Sequence, residues 1–72
     1  MELTAREKQT MALLVKGMSN KQIARGLGIS THGAKRLVTA ILLKLGVPNR
    51  TAAVVQAISS GLVLDQATGD FR

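Results

Sequence analysis

The side chains best suited to recognising another molecule stand close together in the middle of the chain. Lys35 and Arg36 are adjacent cations, and Thr39 follows Lys35 by one turn if the segment is helical. In the major groove of DNA, guanine presents its O6 and N7 acceptors side by side, and an arginine can donate to both at once. Thr39 can add a methyl contact to thymine or a hydrogen bond. We therefore predict that these residues contact the bases or the phosphates of DNA; the alternative is that they are ordinary exposed residues of an amphipathic helix.

The segment 19–45, which carries these side chains, has the pattern of two helices joined by a tight turn. Apolar residues at helical spacing stop at Gly28, where we expect the backbone to adopt a positive φ. Ser30 can then accept hydrogen bonds from the N–H groups that begin the next helix. Ala24 is small enough to let the helices cross steeply, and Ile29 is expected to fill the space between them. A short helix, a turn of about four residues containing glycine and a longer helix with paired cations are typical of a DNA-binding helix-turn-helix.

We predict an all-α fold, a four-helix bundle-like domain with the helix-turn-helix at its centre. Thr4 and Glu7 have the spacing of a capping box at the start of the first helix. Ser19 and Gln22 repeat that spacing before the second helix. The predicted helices cover residues 5–16, 20–27, 31–45 and 51–60. The expected core takes one apolar face from each helix, with Leu3, Met11, Leu14, Val15, Ile23, Ala24, Leu27, Ala34, Leu37 or Val38, Ile41, Leu42, Leu45, Ala53, Val54, Ala57 and Ile58.

Length and composition predict one small domain. Seventy-two residues are close to the size at which a chain buries only ~60% of its unfolded surface. Residues 1–64 carry the helical pattern, whereas residues 65–72 have turn formers and no periodicity and are expected to form a flexible tail. The chain has no cysteine, and no apolar run approaches the ~18–20 residues of a membrane span. We therefore expect a soluble, cytoplasmic protein with no membrane partner.

The charge of the chain is unevenly distributed, with a net value of +6. The four acidic residues stand near the two ends, at Glu2, Glu7, Asp65 and Asp70. Between residues 8 and 64 there are eight cations and no anion to pair with them: Lys8, Lys16, Lys21, Arg25, Lys35, Arg36, Lys44 and Arg50. A surface of one sign concentrates a polyanion and releases counterions from each phosphate that it neutralises. Nucleic acid is the first partner to consider, and the alternative is that the cations only keep the surface hydrated.

Contacts to the DNA backbone are expected from helix N-termini and from cations near them. Ser19 and Asn20 begin the second helix beside Lys21, and the N–H groups of a helix start attract phosphate. The alternative is that Ser19 only caps the helix. The other expected backbone contacts are Ser30, Thr31, His32, Lys44 and Arg50.

The residue types give little support for catalysis or for a metal site. The chain has a single histidine, His32, no cysteine, and acids only near its ends. These residues cannot assemble a metal cluster or a paired general acid and base. We predict that the chain is not an enzyme and binds neither a cofactor nor a metal.

Several short motifs spread over residues 2–64 also match the pattern of a known family. They are Leu3-Thr4-x-Arg6-Glu7, Gly17-Met18-Ser19-Asn20-Lys21-x-Ile23-Ala24, Leu27-Gly28-Ile29-Ser30, Lys35, Ile41, Lys44-Leu45-Gly46-Val47, Arg50-Thr51 and Ala53-Val54. Together they resemble the LuxR-type helix-turn-helix domain. That domain is the DNA-binding module at the C-terminus of response regulators and quorum-sensing regulators, and is occasionally a transcription factor by itself.

The resemblance implies a bacterial transcription regulator that binds promoter DNA sequence-specifically as a dimer, with its third helix in the major groove. By position it assigns the base contacts to Lys35, Arg36 and Thr39. It also places the fourth helix at the dimer contact, with Thr51, Ala52, Val55 and Ser59 as the interface residues. Apart from the resemblance, an exposed Val55 is a weak indication, because single apolar residues on a surface are normal.

The chain departs from the LuxR-type pattern on the third helix. The family usually has threonine where this chain has Gly33, a branched apolar residue at Ala34 and often histidine at Leu37. A glycine in the first helical turn costs up to ~1 kcal/mol relative to alanine. These departures, with an exposed Val55, keep a second function open: a sigma-factor-like or adaptor module that binds RNA polymerase or another regulator protein.

Overall fold

A computed structural model describes residues 2–61, and those residues form four α-helices. The helices are α1 (Ala5–Val15), α2 (Asn20–Leu27), α3 (Thr31–Leu45) and α4 (Arg50–Ser59). The all-α prediction and the order of the helices are confirmed. The predicted tail, residues 65–72, lies outside the described residues.

The helix starts are set by side-chain caps. Both predicted capping boxes are present. The Thr4 hydroxyl accepts the N–H of Glu7 at 3.1 Å, and the Ser19 hydroxyl accepts the N–H of Gln22 at 3.2 Å. The cap of α4 is Asn49, whose Oδ1 accepts the N–H of Ala52 at 2.8 Å. Because Asn49 is the cap, α4 runs from Arg50 to Ser59, one residue earlier at each end than predicted.

The turn between α2 and α3 depends on Gly28. Its backbone has φ 70° and ψ 35°, the left-handed conformation that the sequence predicted. This conformation lets the N–H of Ile29 donate to the carbonyl of Ala24 at 3.0 Å, which closes the end of α2. The few residues of this turn therefore set the direction of α3 relative to α2.

The core lies where α3 packs against the other three helices. The buried apolar residues are Leu3, Met11, Leu14, Ile23, Ala24, Ala34, Val38, Ile41, Ala53 and Ala57. Val38, and not Leu37, is the core residue of the predicted pair. The prediction for Ile58 is wrong, since its side chain is 48% exposed. The buried line of α4 runs through Ala53 and Ala57, and Ile58 is rotated out of that line by one helical step.

No single helix among residues 2–61 is long and apolar enough to cross a membrane. α3 and α4 reach the required length and hydropathy only when taken together, and the chain bends by 58° at the break between them.

Candidate nucleic-acid interface

The predicted base-contacting residues lie on one exposed face of α3. Lys35, Arg36 and Thr39 are all exposed, and they line a shallow depression of the surface. The complete lining of that depression is His32, Lys35, Arg36, Thr39, Ala40 and Leu43. The structure therefore brings the three predicted side chains together, and it extends their face by two apolar residues towards the end of the helix.

The opposite side of α3 anchors this face. Ala34 and Ile41 are fully buried and Val38 is 5% exposed, so the helix is packed along most of its length. Side chains mounted on a packed helix keep their relative positions better than side chains on a loop. The exposed face of α3 therefore presents its donors at fixed spacing.

Gly33, in the first turn of α3, lies close to the cap of that helix. Its N–H donates to the hydroxyl of Ser30 at 2.9 Å. A Cβ added at Gly33 would lie 3.2 Å from the Ser30 Oγ and 3.6 Å from the Cδ1 of Ile29. A larger residue at this position would therefore press on the capping hydroxyl.

Most of the predicted phosphate contacts are exposed at the starts of α2 and α3. These solvent-exposed residues are Ser19, Lys21, Ser30, Thr31 and His32. The hydroxyls of Ser19 and Ser30 accept backbone N–H groups, so both serines have the structural role of a cap. A hydroxyl that accepts one bond can still donate its own hydrogen, so the capping role leaves a donor for phosphate.

Asn20 and Arg50, also predicted to contact the DNA backbone, are bonded to each other. The Arg50 guanidinium donates through Nη2 to the Asn20 Oδ1, and its Nη1 donates to the carbonyl of Met18 at 3.2 Å. These bonds join the start of α4 to the first residue of α2 and to the turn that precedes it. Both side chains therefore have a positioning role within the chain, which the sequence did not indicate.

The expectation that the central cations have no anion to pair with is wrong for Lys44, which forms an ion pair with Glu7. The Lys44 Nζ lies 2.8 Å from the Oε1 of Glu7, and these side chains are 28% and 7% exposed. The same carboxylate oxygen accepts the N–H of Thr4 at 2.8 Å. The hydrogen bond from Lys44, followed by that from Thr4, holds the pKa of Glu7 below its ordinary value. Glu7 thus caps α1 and also ties it to the C-terminal half of α3.

Two further polar contacts, one within α1 and one between α1 and α2, have no signal in the sequence pattern. The buried Thr10 donates its hydroxyl hydrogen to the Arg6 carbonyl at 2.8 Å. The Arg6 Nη1 lies 3.5 Å from the carbonyl of Leu27, at the end of α2. α1 is therefore tied to α3 through Glu7 and approaches α2 through Arg6.

The outer face of α4 carries the residues predicted for a dimer contact. Thr51, Val55 and Ser59 are exposed and Ala52 is half-buried. Val55 is 61% exposed and Ile58, on an adjacent side, is 48% exposed. The Ser59 hydroxyl donates to the Val55 carbonyl at 2.6 Å, so its hydrogen is already used within the helix. This face of α4 is therefore weakly polar and uncharged.

Among residues 2–61, no three His, Cys, Asp or Glu side chains lie close enough together to hold a metal ion. His32 stands exposed at the start of α3, on the same face as Lys35 and Arg36.

Comparison with known proteins gives consistent matches. A family described as "Bacterial regulatory proteins, luxR family" matches residues 1–57. The chain is 43% identical over 61 residues to the transcriptional regulatory protein DegU of Brevibacillus brevis, a match that covers 85% of this chain and 26% of DegU. It is 41% identical over 61 residues to the response regulator protein VraR of Staphylococcus aureus strain Mu3, covering 85% of this chain and 29% of VraR.

A solved structure shares the fold. The crystal structure of the response regulator ChrA, from a heme-sensing two-component system, matches with a TM-score of 0.82 and 41% identity, over 88% of this chain and 31% of that chain. The chain spans between a quarter and a third of the length of these relatives, with 26% of DegU, 29% of VraR and 31% of ChrA covered.

Proposed function

The chain belongs to the luxR family of bacterial regulatory proteins, a family of DNA-binding transcription regulators, and on that premise we propose that it binds promoter DNA through α3. Lys35, Arg36 and Thr39 contact base edges in the major groove. Because response regulators are among its relatives, we propose that the chain acts as the DNA-binding part of a cytoplasmic regulator of that kind.

The observation that carries the proposal is the pairing of an exposed cationic face with a buried anchoring face on the same helix. Lys35 and Arg36 stand on the exposed side, while Ala34 and Ile41 are fully buried on the other. The only carboxylates among residues 2–61 are Glu2 and Glu7, and Glu7 is paired with Lys44. The α3 face therefore attracts phosphate without a competing anion on its own helix.

Phosphate contacts hold the helix in register along the duplex. We propose this role for the exposed residues at the helix starts, Ser19, Lys21, Ser30, Thr31 and His32. Asn20, Lys44 and Arg50 belong to the proposed set as well, but their bonds inside the chain make positioning of the helices their first role.

We further propose that two copies bind half-sites about one helical turn apart, with α4 between them. Thr51, Ala52, Val55 and Ser59 form the contact. Its support is the weakly polar outer face of α4, where Val55 is 61% exposed. The same face also suits the alternative function, an adaptor that binds RNA polymerase or another regulator.

The proposal is tested by comparing two arginine substitutions of equal charge change. Arg36 lies on the α3 face, whereas the exposed Arg25 of α2 lies in a separate depression beside Met18 and Gln22. Arg36→Ala is expected to lose ~1–3 kcal/mol of binding on a preferred duplex and much less on a random duplex. Arg25→Ala is expected to weaken both duplexes alike, by the loss of one cation.

The affinities are to be measured at one fixed salt concentration, on a duplex selected from a random pool. Equal losses on specific and random duplexes for Arg36→Ala would reject its base contact. A chain that captured RNA polymerase but bound no duplex at low salt would establish the adaptor function instead.

A further inference from the structure

The exposed face of α3 changes character along its length. Its first half carries His32, Lys35 and Arg36, whereas its second half ends in Ala40 and Leu43. Leu43 is 76% exposed, more than Val55 and Ile58, the other large hydrophobic side chains that are exposed among residues 2–61. A leucine that is 76% exposed has most of its apolar surface available for a partner.

We propose that Leu43, with Ala40 beside it, contacts the C5-methyl group of a thymine and so adds a base preference to the DNA site. The inference rests on the proposed function, because it requires α3 to lie in the major groove. It assigns a specificity role to a residue outside the cationic set.

The helical geometry places Leu43 over the same groove as Arg36. The two residues are seven positions apart, which is almost two full turns, so they project from nearly the same side of α3. At ~1.5 Å per residue this separation is about 10 Å along the helix. Successive base pairs are about 3.4 Å apart, so with α3 aligned along the duplex Leu43 reaches a base about three pairs from the one that Arg36 contacts.

The charges near Leu43 favour a methyl group as the part of the DNA that it contacts. The following residue, Lys44, carries the nearest cation in the sequence, and its Nζ is turned to Glu7 at 2.8 Å. The far end of the face therefore lacks a cation of its own, in contrast with its first half. Of the groups that bases display in the major groove, the thymine methyl is the apolar one.

The experiment removes that methyl group alone, by replacing thymine with deoxyuridine. Each thymine of a selected duplex is replaced in turn, and the Kd is measured at fixed salt by fluorescence anisotropy. For the unaltered chain we expect one position, about three base pairs from the guanine whose preference is lost in Arg36→Ala, to bind about fourfold more weakly, the factor expected for one methyl-sized apolar group.

The variants identify the side chain responsible for that effect. Leu43→Ala is expected to abolish the difference between thymine and deoxyuridine, and Leu43→Met, which keeps an apolar side chain of similar volume, is expected to retain it. The matched control is Ile58→Ala, which removes another exposed hydrophobic side chain, from α4, and is expected to leave the effect unchanged. Circular dichroism of each variant confirms that the helices are retained.

The possible failures are distinguishable. Tight binding to the selected duplex with no deoxyuridine-sensitive position would overturn the role of Leu43 while leaving the proposed function in place. An effect that persisted in Leu43→Ala would also overturn it, because another side chain would then contact the methyl group. Absence of binding to any duplex at low salt would overturn both.

Discussion

Replacing Gly28 by alanine tests whether the turn between α2 and α3 depends on backbone conformation. Gly28 has φ 70°, and a Cβ built on it meets nothing within 4 Å. Steric crowding by neighbours therefore contributes nothing to the cost of the substitution. What is left is the left-handed conformation itself, which costs an L-residue ~1–2 kcal/mol. We expect Gly28→Ala to lower the free energy of unfolding by that amount.

Gly26, two residues earlier, is the matched control. It lies inside α2, and a Cβ there would be 3.6 Å from the Leu13 Cδ1, an ordinary contact. Replacing a glycine inside a helix by alanine adds ~0.8–1 kcal/mol of stability. The same chemical change is therefore expected to have opposite signs at two neighbouring positions, with a difference of ~2–3 kcal/mol.

The assay is urea unfolding followed by far-ultraviolet circular dichroism, with the slopes compared to check that the unfolded states are alike. Gly28→Asn belongs in the same series, because asparagine tolerates the left-handed region and should lose less than alanine. If Gly28→Ala and Gly26→Ala were equally stabilising, the turn would not require the left-handed conformation, and the account of how α3 is aimed would be wrong.

Three other substitutions test separate features of the molecule. Glu7→Gln should destabilise the fold most above the ordinary glutamate pKa of about 4.3, because Lys44 holds the pKa of folded Glu7 lower. Its unfolding free energy should approach that of the unaltered chain as the pH falls through that folded pKa, which is checked by unfolding measured across pH. Ile41→Ala, at a fully buried position, should cost ~2–5 kcal/mol in the same assay, and a smaller loss would contradict tight packing of α3. Val55→Lys should change the unfolding free energy of the monomer by less than ~0.5 kcal/mol, because Val55 is exposed, while weakening cooperative binding to paired half-sites. Unchanged cooperativity would show that α4 does not form the proposed dimer contact.

Local features of the fold could be predicted because their causes are local in the sequence. A capping box needs only two residues three positions apart, as for Thr4 and Glu7, and the structure contains it. Gly28 marks the end of α2 because few other residues adopt its conformation. The same periodicity that placed Ala34 and Ile41 in the core put Lys35 and Arg36 on the opposite side.

Features that depend on distant pairs could not be predicted in this way. Glu7 and Lys44 are 37 residues apart, and no periodicity of a single helix connects them. The pairing of Arg50 with Asn20 spans 30 residues and is likewise invisible until α4 is packed. Ile58 was misplaced because Ala53 and Ala57 alone form the buried line of α4, so the apolar face that packs is narrower than the apolar pattern of the sequence.

The central claim is that the cationic face of α3 lies in the groove of a DNA duplex. The direct measurement is a titration of the folded chain with a selected duplex at low ionic strength, followed through the amide chemical shifts of every residue. The largest changes are expected along α3 around Lys35, Arg36 and Thr39, with smaller ones at the starts of α2 and α3. A saturating amount of duplex that left the shifts of α3 unchanged would contradict the claim.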